Sequence, residues 1–424
     1  MASSDISAAR RNFLRLLAAT PLASAVGVPA VLEALQQAKP LAKKKAAAPA
    51  AALAPKDNLI TAASEAVDVM DFEAVARKNL LPAHWAYMAT GVDDDATIKA
   101  NHEGFSRYQL RMRPLVDFSR LDMSIQLLGR KWSTPIVLCP VASQKGFHTE
   151  GEKGTAKAAR AKGHLMCLSN QTSTSVEDVN AARGEPVWFQ LYARPDFAST
   201  TQIVKRAEAA GCPVLVWTVD LLGGSNRETL RRGEGPLSVR APFCKECHEG
   251  RVQPMAQGLA SVGNLERGAG PTVFTWDYIK RLRDVTNMKL FVKGIQTGED
   301  AELGVKAGLD GLWVSNHGGR AGESLRPTID SLPEVAAAVS GKIPIICDSG
   351  VRHGTDIFKA LALGATAVGV GRPQVWSLAA FGQEGVEAML DILRRELMMT
   401  MRQAGATSID KITRASLIDR LRIG

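Results

Sequence analysis

Eight short, continuously apolar segments recur along the chain, helix-patterned stretches lie between them, and polar residues gather at their C-terminal ends. Apolar strands without alternation belong to a parallel sheet covered on both faces, and eight strand-helix units favour a closed barrel over an open sheet. The predicted fold class is therefore α/β: a (β/α)8 TIM barrel with an N-terminal helical and hairpin plug and a long insertion after strand four.

The strands are read in PIVLCP from Pro135, HLMCLS from His164, PVWFQLY from Pro186 and PVLVWTVD from Pro213, then KLFVKG from Lys289, GLWVSN from Gly311, IPIICDSG from Ile343 and TAVGVGRP from Thr366. Between them GEKGTAKAARAKG, STTQIVKRAEAAG, GEDAELGVKAG and GTDIFKALALGA pattern as helices that stop at glycine. Ahead of the barrel, residues 65–134 hold FEAVARKNLLPAHWAYMATG and the hairpin-like MSIQLLGRKW, expected to plug the barrel base and lend Tyr87 to the rim. Residues 221–288 are too long for one βα connection and predict an excursion covering the active site.

The remaining organisation is N-terminal. Arg10 and Arg11 precede a short Leu/Ala-rich run and small residues, the layout of a twin-arginine export signal over residues 1–32, which predicts a periplasmic protein. Residues 33–63 are an Ala/Pro/Lys-rich linker whose Lys43 to Lys45 suit peripheral contact with anionic lipid, and the folded domain is expected over residues 64–424. Of the net charge of +9, residues 1–56 supply +6 (eight Lys/Arg, two Asp/Glu), leaving +3 for the other 368. Without a basic stripe interleaved with aromatics, nucleic-acid binding is excluded as the main function. Cys139, Cys167, Cys212 and Cys347 lie in or beside apolar strands and read as buried small hydrophobes, not as a disulfide framework.

The rim carries the chemistry. Ser143, Gln144, Ser169, Asn170, Gln190, Tyr192, Thr218, Asp220, Lys293, Ser315, His317, Asp348 and Arg372 all fall at C-terminal strand ends, where active sites of such barrels lie. Gln190/Tyr192, Thr218/Asp220 and Ser315/His317 are two apart, so each pair is expected on one side of its strand. After the last two strands, DSGVRHGTDIFKALALGATAVGVGRP offers Gly350, Gly354, Gly369 and Gly371 for close backbone approach. It adds a helix N-terminus with unpaired N–H groups, and Arg352 and Arg372 as fixed cations, which together suit a phosphate.

SNHGGR, KGI, FQLY, TVD, DSGVRHGTDIFKALALGA and GRP occur in consistent order from about Phe72 to Leu421. In these motifs the chain resembles the FMN-dependent L-2-hydroxy acid oxidases and dehydrogenases. The resemblance implies FMN across the barrel mouth and oxidation of an α-hydroxy acid to the α-keto acid. It makes His317 the base, Asp220 its orienting partner, Arg320 and Arg227 the carboxylate clamp, and Tyr87 and Tyr192 substrate hydrogen-bonders. It sets Lys293 beside the flavin edge where negative charge builds up, with Ser169, Gln190, Thr218 and the backbone at Val141 and Ala142 against the ring. Ser315, Asp348, Gly350 and Gly371 join the cofactor site, and Arg352 and Arg372 take its phosphate. It further implies an electron acceptor (O2, a cytochrome or a quinone) and a homo-oligomer, tetrameric in the family. The chain departs from the family pattern at Ser349, where glycine is common, at Ala321, at Gln171, where short-chain members carry an aromatic, and near Arg227, where LLGGSNRE supplies one arginine.

Two other features stand beside this reading. Cys244-x-x-Cys247-His248 has the spacing of a c-type haem attachment site, with Met255 as a second axial ligand; a Cys244–Cys247 disulfide or free thiols is the competing reading, and zinc lacks a fourth ligand. Lys293 at a strand end also fits a Schiff-base aldolase, and an exported electron carrier without catalysis is the third class.

Overall fold

The computed structural model describes residues 59–233 and 274–419, within a compact unit that begins at Leu59, five residues before the expected boundary. The export signal, most of the linker, and Cys244, Cys247, His248 and Met255 lie outside the described residues.

The plug begins with α1 (Asp71–Asn79) and α2 (Pro82–Ala89), which the sequence pattern runs together. Pro82 has no N–H and holds Leu81 extended, so the second helix starts afresh with proline in its first turn. After α3 (Ala96–Glu103) and β1 (Tyr108–Leu110) come β2 (Ile125–Leu127) and β3 (Arg130–Trp132), the expected hairpin, paired Ile125 to Trp132. Its two-residue loop has Leu128 and Gly129 both left-handed, the turn that matches strand twist. Ile125, Leu127 and Trp132 pack against Val137, Leu165 and Trp188 from inside the barrel, so the hairpin closes that end as predicted.

The barrel is β4 (Ile136–Leu138), β5 (Leu165–Ser169), β6 (Trp188–Leu191), β7 (Val214–Thr218), β8 (Lys289–Ile295), β9 (Gly311–Val314), β10 (Ile345–Cys347) and β11 (Ala367–Val370). All neighbours are parallel, and β11 returns to β4 through Val368 and Ile136 to close the ring. Each strand falls inside a predicted apolar segment except β8, which runs one residue past KLFVKG to Ile295. Inward residues such as Trp188, Phe291 and Trp313 fill the interior, the first two rings lying 5.1 Å apart, while alternate residues face the helices. The four cysteines at 139, 167, 212 and 347 are buried and free.

Helices α4 (Gly151–Lys162), α5 (Val176–Arg183), α6 (Phe197–Ala209), α7 (Glu228–Gly233), α8 (Asp277–Val285), α9 (Gly298–Lys306), α10 (Thr328–Val339), α11 (Gly354–Ala362) and α12 (Arg372–Ala404) follow. The excursion after strand four needs correction at its end. Residues 277–285 do not cover the site but form the ordinary barrel helix α8, buried through Tyr278, Ile279 and Leu282, with the Tyr278 ring tilted against Trp217 at 5.0 Å between centroids. The chain closes with β12 (Leu417–Asp419) antiparallel to β1.

Helices α11 and α12 meet at Gly354, where an added Cβ would lie 2.1 Å from the backbone nitrogen of Leu397. Because backbone cannot rotate aside, Gly354→Ala should lower unfolding free energy by about 1–3 kcal/mol, read from the urea midpoint at unchanged slope.

Candidate active site

Strand β9 is dry through Val314, and its polar end exists because the chain stops being extended there. His317, Gly318 and Gly319 are all left-handed, with φ of 59°, 68° and 77°. The loop is held from beneath by a reciprocal amide pair: Asn101 Nδ2 donates to Asn316 Oδ1 at 2.9 Å and Asn316 Nδ2 donates to Asn101 Oδ1 at 2.8 Å. Asn316 Oδ1 also accepts from Gly319 N–H at 3.0 Å. An imidazole at positive φ is thus aimed by the loop rather than by strand alternation, which ends three residues earlier at Val314.

His317 Nδ1 lies 2.8 Å from Asp220 Oδ1, and Nε2 lies 3.2 Å from the Tyr192 hydroxyl. Burial tends to raise the Asp220 pKa, but the His317 ring and Lys293 outweigh it and hold the carboxyl below its usual range. An ionised Asp220 accepts Nδ1–H, which leaves the Nε2 lone pair to accept from the Tyr192 hydroxyl, both residues lining the cavity. Burial dominates at His317 and lowers its pKa, with Asp220 opposing and Lys293 and Arg320 assisting. Burial drives the Tyr192 phenol well above its usual value, so it remains a neutral hydrogen-bonding group.

Lys293 sits between two carboxylates, 3.7 Å from Asp220 Oδ2 and 3.7 Å from Asp348 Oδ2, and donates to Ser315 Oγ at 2.8 Å. Its burial would favour the neutral amine, yet Asp348 and Asp220 overcome that and raise its pKa above the ordinary value. The ammonium is a fixed cation, not an amine nucleophile, which argues against the Schiff-base reading.

His317, Tyr192 and Lys293 line a cavity of about 810 Å³ including its open mouth, together with Tyr87, Val141, Ala142, Asp348, Gly350 and Gly371, whereas Asp220 and the predicted cofactor residue Ser315 are not on its wall and act through His317 and Lys293. Arg320, Arg352 and Arg372 also line it. Arg320 stacks over the Tyr87 ring at 4.5 Å and its buried Nε has no hydrogen-bond partner among the described residues. Burial lowers the Arg352 pKa to about 10. Burial, then Arg320, Arg352 and Arg227, push Arg372 well below its usual value. Arg372 donates to the carbonyls of Gly318 at 2.7 Å and Met88 at 3.1 Å. Three guanidinium groups at one cavity, Arg352 buried and Arg320 and Arg372 half-buried, call for anions. Gly350 is required by contact: at φ 91° its Cβ would fall 2.1 Å from the Asn101 carbonyl oxygen.

Several predicted residues stand elsewhere than expected. Arg227 does not line the cavity; its Nη2 donates to the carbonyls of Tyr87 and Thr90, each at 3.0 Å, and so braces the segment that carries Tyr87. Ser169, Gln190 and Thr218 form a chain across three strands, Ser169 Oγ to Gln190 Oε1 at 2.9 Å and Gln190 Nε2 to Thr218 Oγ1 at 3.0 Å, and do not line the cavity either. Tyr192 and Asp220 lie past the ends of their strands, so they meet at His317 through loop geometry and not through the two-residue strand period. The N–H groups at the start of α11 are not unpaired: Asp356 Oδ2 accepts from Arg352 and His353 at 2.9 Å each, and Glu396 Oε2 accepts from Gly354 at 2.7 Å. A phosphate near this turn therefore depends on the arginines rather than on that helix end.

Sequence reading missed Asn101 and Glu152. The Glu152 carboxylate is buried and accepts from Gln144 N–H at 3.0 Å, Ser173 N–H at 2.8 Å and the Thr174 hydroxyl at 2.9 Å, tying the loops after β4 and β5 together. A Glu in the first turn of a helix patterned as solvent-facing gave no sign of this.

A family model described as FMN-dependent dehydrogenase matches residues 76–419. The chain belongs to the FMN-dependent dehydrogenase family. Among curated relatives, Glycolate oxidase 1 of Zea mays is 40% identical over 359 residues, 84% of this chain and 96% of its own. Glycolate oxidase of Spinacia oleracea is 38% identical over 358 residues, 83% and 96% of the two chains. A Pediococcus acidilactici protein assigned as a lactate oxidase superposes with TM-score 0.76 at 32% identity, over 84% of this chain and 95% of that one. A mandelate oxidase structure gives 0.72 at 35%, over 83% and 98%. The protein is thus a flavoenzyme of the 2-hydroxy acid oxidase type with FMN as cofactor.

The cavity fits that cofactor by its donor set: the guanidinium groups of Arg352 and Arg372 suit a dianionic phosphate, the Lys293 ammonium is pinned by two carboxylates, and Gly350, Gly369 and Gly371 bring bare backbone to the wall. Lys293→Met should leave Asp220 and Asp348 buried without their cation. Urea denaturation of the FMN-free protein should show a loss of about 3–5 kcal/mol at neutral pH, shrinking as pH falls through the carboxylate range and the acids become neutral.

Proposed function

We propose that the protein oxidises an L-2-hydroxy acid, lactate-like or larger, to the 2-keto acid, with His317 as the base. The observation that carries this is the ionised Asp220 holding His317 by Nδ1 while Nε2 faces a cavity shared with Arg320. FMN, when bound, accepts the two electrons that the hydroxy acid gives up and passes them to O2, a cytochrome or a quinone.

The chain's own residues account for the rest. Arg320, with an unpartnered buried Nε, binds the substrate carboxylate; Tyr87 beneath its guanidinium and Tyr192 beside Nε2 hydrogen-bond the substrate's polar groups. Arg227 acts on that clamp through the Tyr87 and Thr90 carbonyls. His317 Nε2 takes a proton, and the resulting imidazolium is stabilised by Asp220 through Nδ1–H. Lys293 supplies positive charge where the cofactor gains negative charge, and its flanking carboxylates keep it protonated throughout. Arg352 and Arg372 hold the phosphate. The twin-arginine pattern of residues 1–32 supports export of the enzyme to the periplasm.

His317→Ala should keep bound FMN and its yellow colour yet slow anaerobic bleaching by L-lactate or a larger L-2-hydroxy acid by about 10²–10⁴-fold; bleaching at the wild-type rate would reject His317 as base. The base must be neutral, and its pKa lies below the ordinary 6.5. The acid limb of kcat/KM should accordingly have its midpoint below that value, with activity lost as pH falls through it.

A further inference from the structure

The left-handed run at residues 317–319 presents three successive N–H groups, and each meets a side-chain oxygen. His317 N–H donates to Ser315 Oγ at 3.0 Å and Gly319 N–H to Asn316 Oδ1 at 3.0 Å, both within the same loop. The middle one, Gly318 N–H, donates at 3.0 Å to Ser349 Oγ, which comes from the end of the neighbouring strand β10. The Ser349 hydroxyl in turn donates to Asp348 Oδ1 at 2.8 Å, leaving Oδ2 toward Lys293. Ser349 lines the cavity and is buried. Its own φ is 80°, a conformation that glycine adopts freely and side chains rarely do, and glycine is common at this place in the family the chain resembles. A hydroxyl kept at a strained position, spanning the loop of the base and the carboxylate beside the cation, is doing something glycine cannot.

We propose that Ser349 is a positioning residue of the oxidation: one hydroxyl sets the His317 loop through Gly318 and the Asp348 carboxylate beside Lys293. Without it Gly318 N–H loses its partner, and the segment bearing the imidazole is left to contacts from its own loop, Asn101 beneath Asn316, Val92 N–H on the Gly319 carbonyl, Arg372 on the Gly318 carbonyl, and Asp220 and Tyr192 on the ring itself. Displacement of the base by a fraction of an ångström then slows proton abstraction, while Arg320 continues to bind the carboxylate. The inference rests on His317 being the base.

The test compares Ser349→Gly with Ser349→Ala as FMN-loaded enzymes. Both lack the hydroxyl, but only glycine relieves the backbone, so Ser349→Ala should melt at a lower temperature than Ser349→Gly. Both should nonetheless show the same fall in the anaerobic bleaching rate at saturating L-2-hydroxy acid, about 10- to 100-fold, with the substrate dissociation constant from the same titration changed by no more than roughly twofold. Wild-type bleaching in Ser349→Gly, or rates in the two variants that simply follow their melting temperatures, would overturn the proposal. His317→Ala measured alongside separates the two readings: if that variant bleaches at the wild-type rate, the base assignment fails; if it is inactive while Ser349→Gly is unimpaired, only the present inference fails.

Discussion

The buried ammonium of Lys293 between Asp220 and Asp348 is the constraint on which the site depends. Three charges in a dry barrel mouth are tolerable only together, since each would be costly without the others. Their mutual stabilisation keeps Asp220 ionised, and an ionised Asp220 fixes the His317 tautomer. One charge system therefore sets both the ammonium at the cavity wall and the tautomer of the imidazole. Because the three side chains come from the ends of β7, β8 and β10, they meet only when the barrel is closed in register.

The loops add what strands cannot. A β-strand ends its control of side-chain direction at its last paired residue, and His317 lies beyond that point. Its direction is set by three consecutive left-handed residues, by the amide pair of Asn101 and Asn316, and by Arg372 on the Gly318 carbonyl. The plug contributes directly to this arrangement: Asn101 belongs to α3, and α2 carries Tyr87, whose ring lies under Arg320. The N-terminal segment thus closes one end of the barrel with its hairpin and completes the site at the other with its helices.

The arginines divide by what they touch. Arg320 keeps an unpartnered nitrogen at the cavity, whereas Arg227 is bonded to the carbonyls of Tyr87 and Thr90. The same residue type, expected on the same rim, therefore opens onto the cavity in one case and braces backbone in the other. The difference lies in whether a backbone carbonyl or the open cavity faces the guanidinium.

The amino-acid sequence by itself determined the eight strands, four of their helical spacers and the identity of the rim residues, because apolar continuity, glycine stops and short motifs are local properties of the chain, while α8 was hidden within the long segment after strand four. Tertiary structure alone decided which polar groups face one another. Asn101 and Asn316 lie 215 residues apart in sequence, and Glu152 gathers donors from two loops. The capture of the α11 N–H groups by Asp356 and Glu396, and the linking of Ser169, Gln190 and Thr218 into a chain of their own, likewise follow from distances across the barrel. A hydrogen bond is specified by a separation of about 3 Å, and sequence spacing carries no such length between residues on different strands.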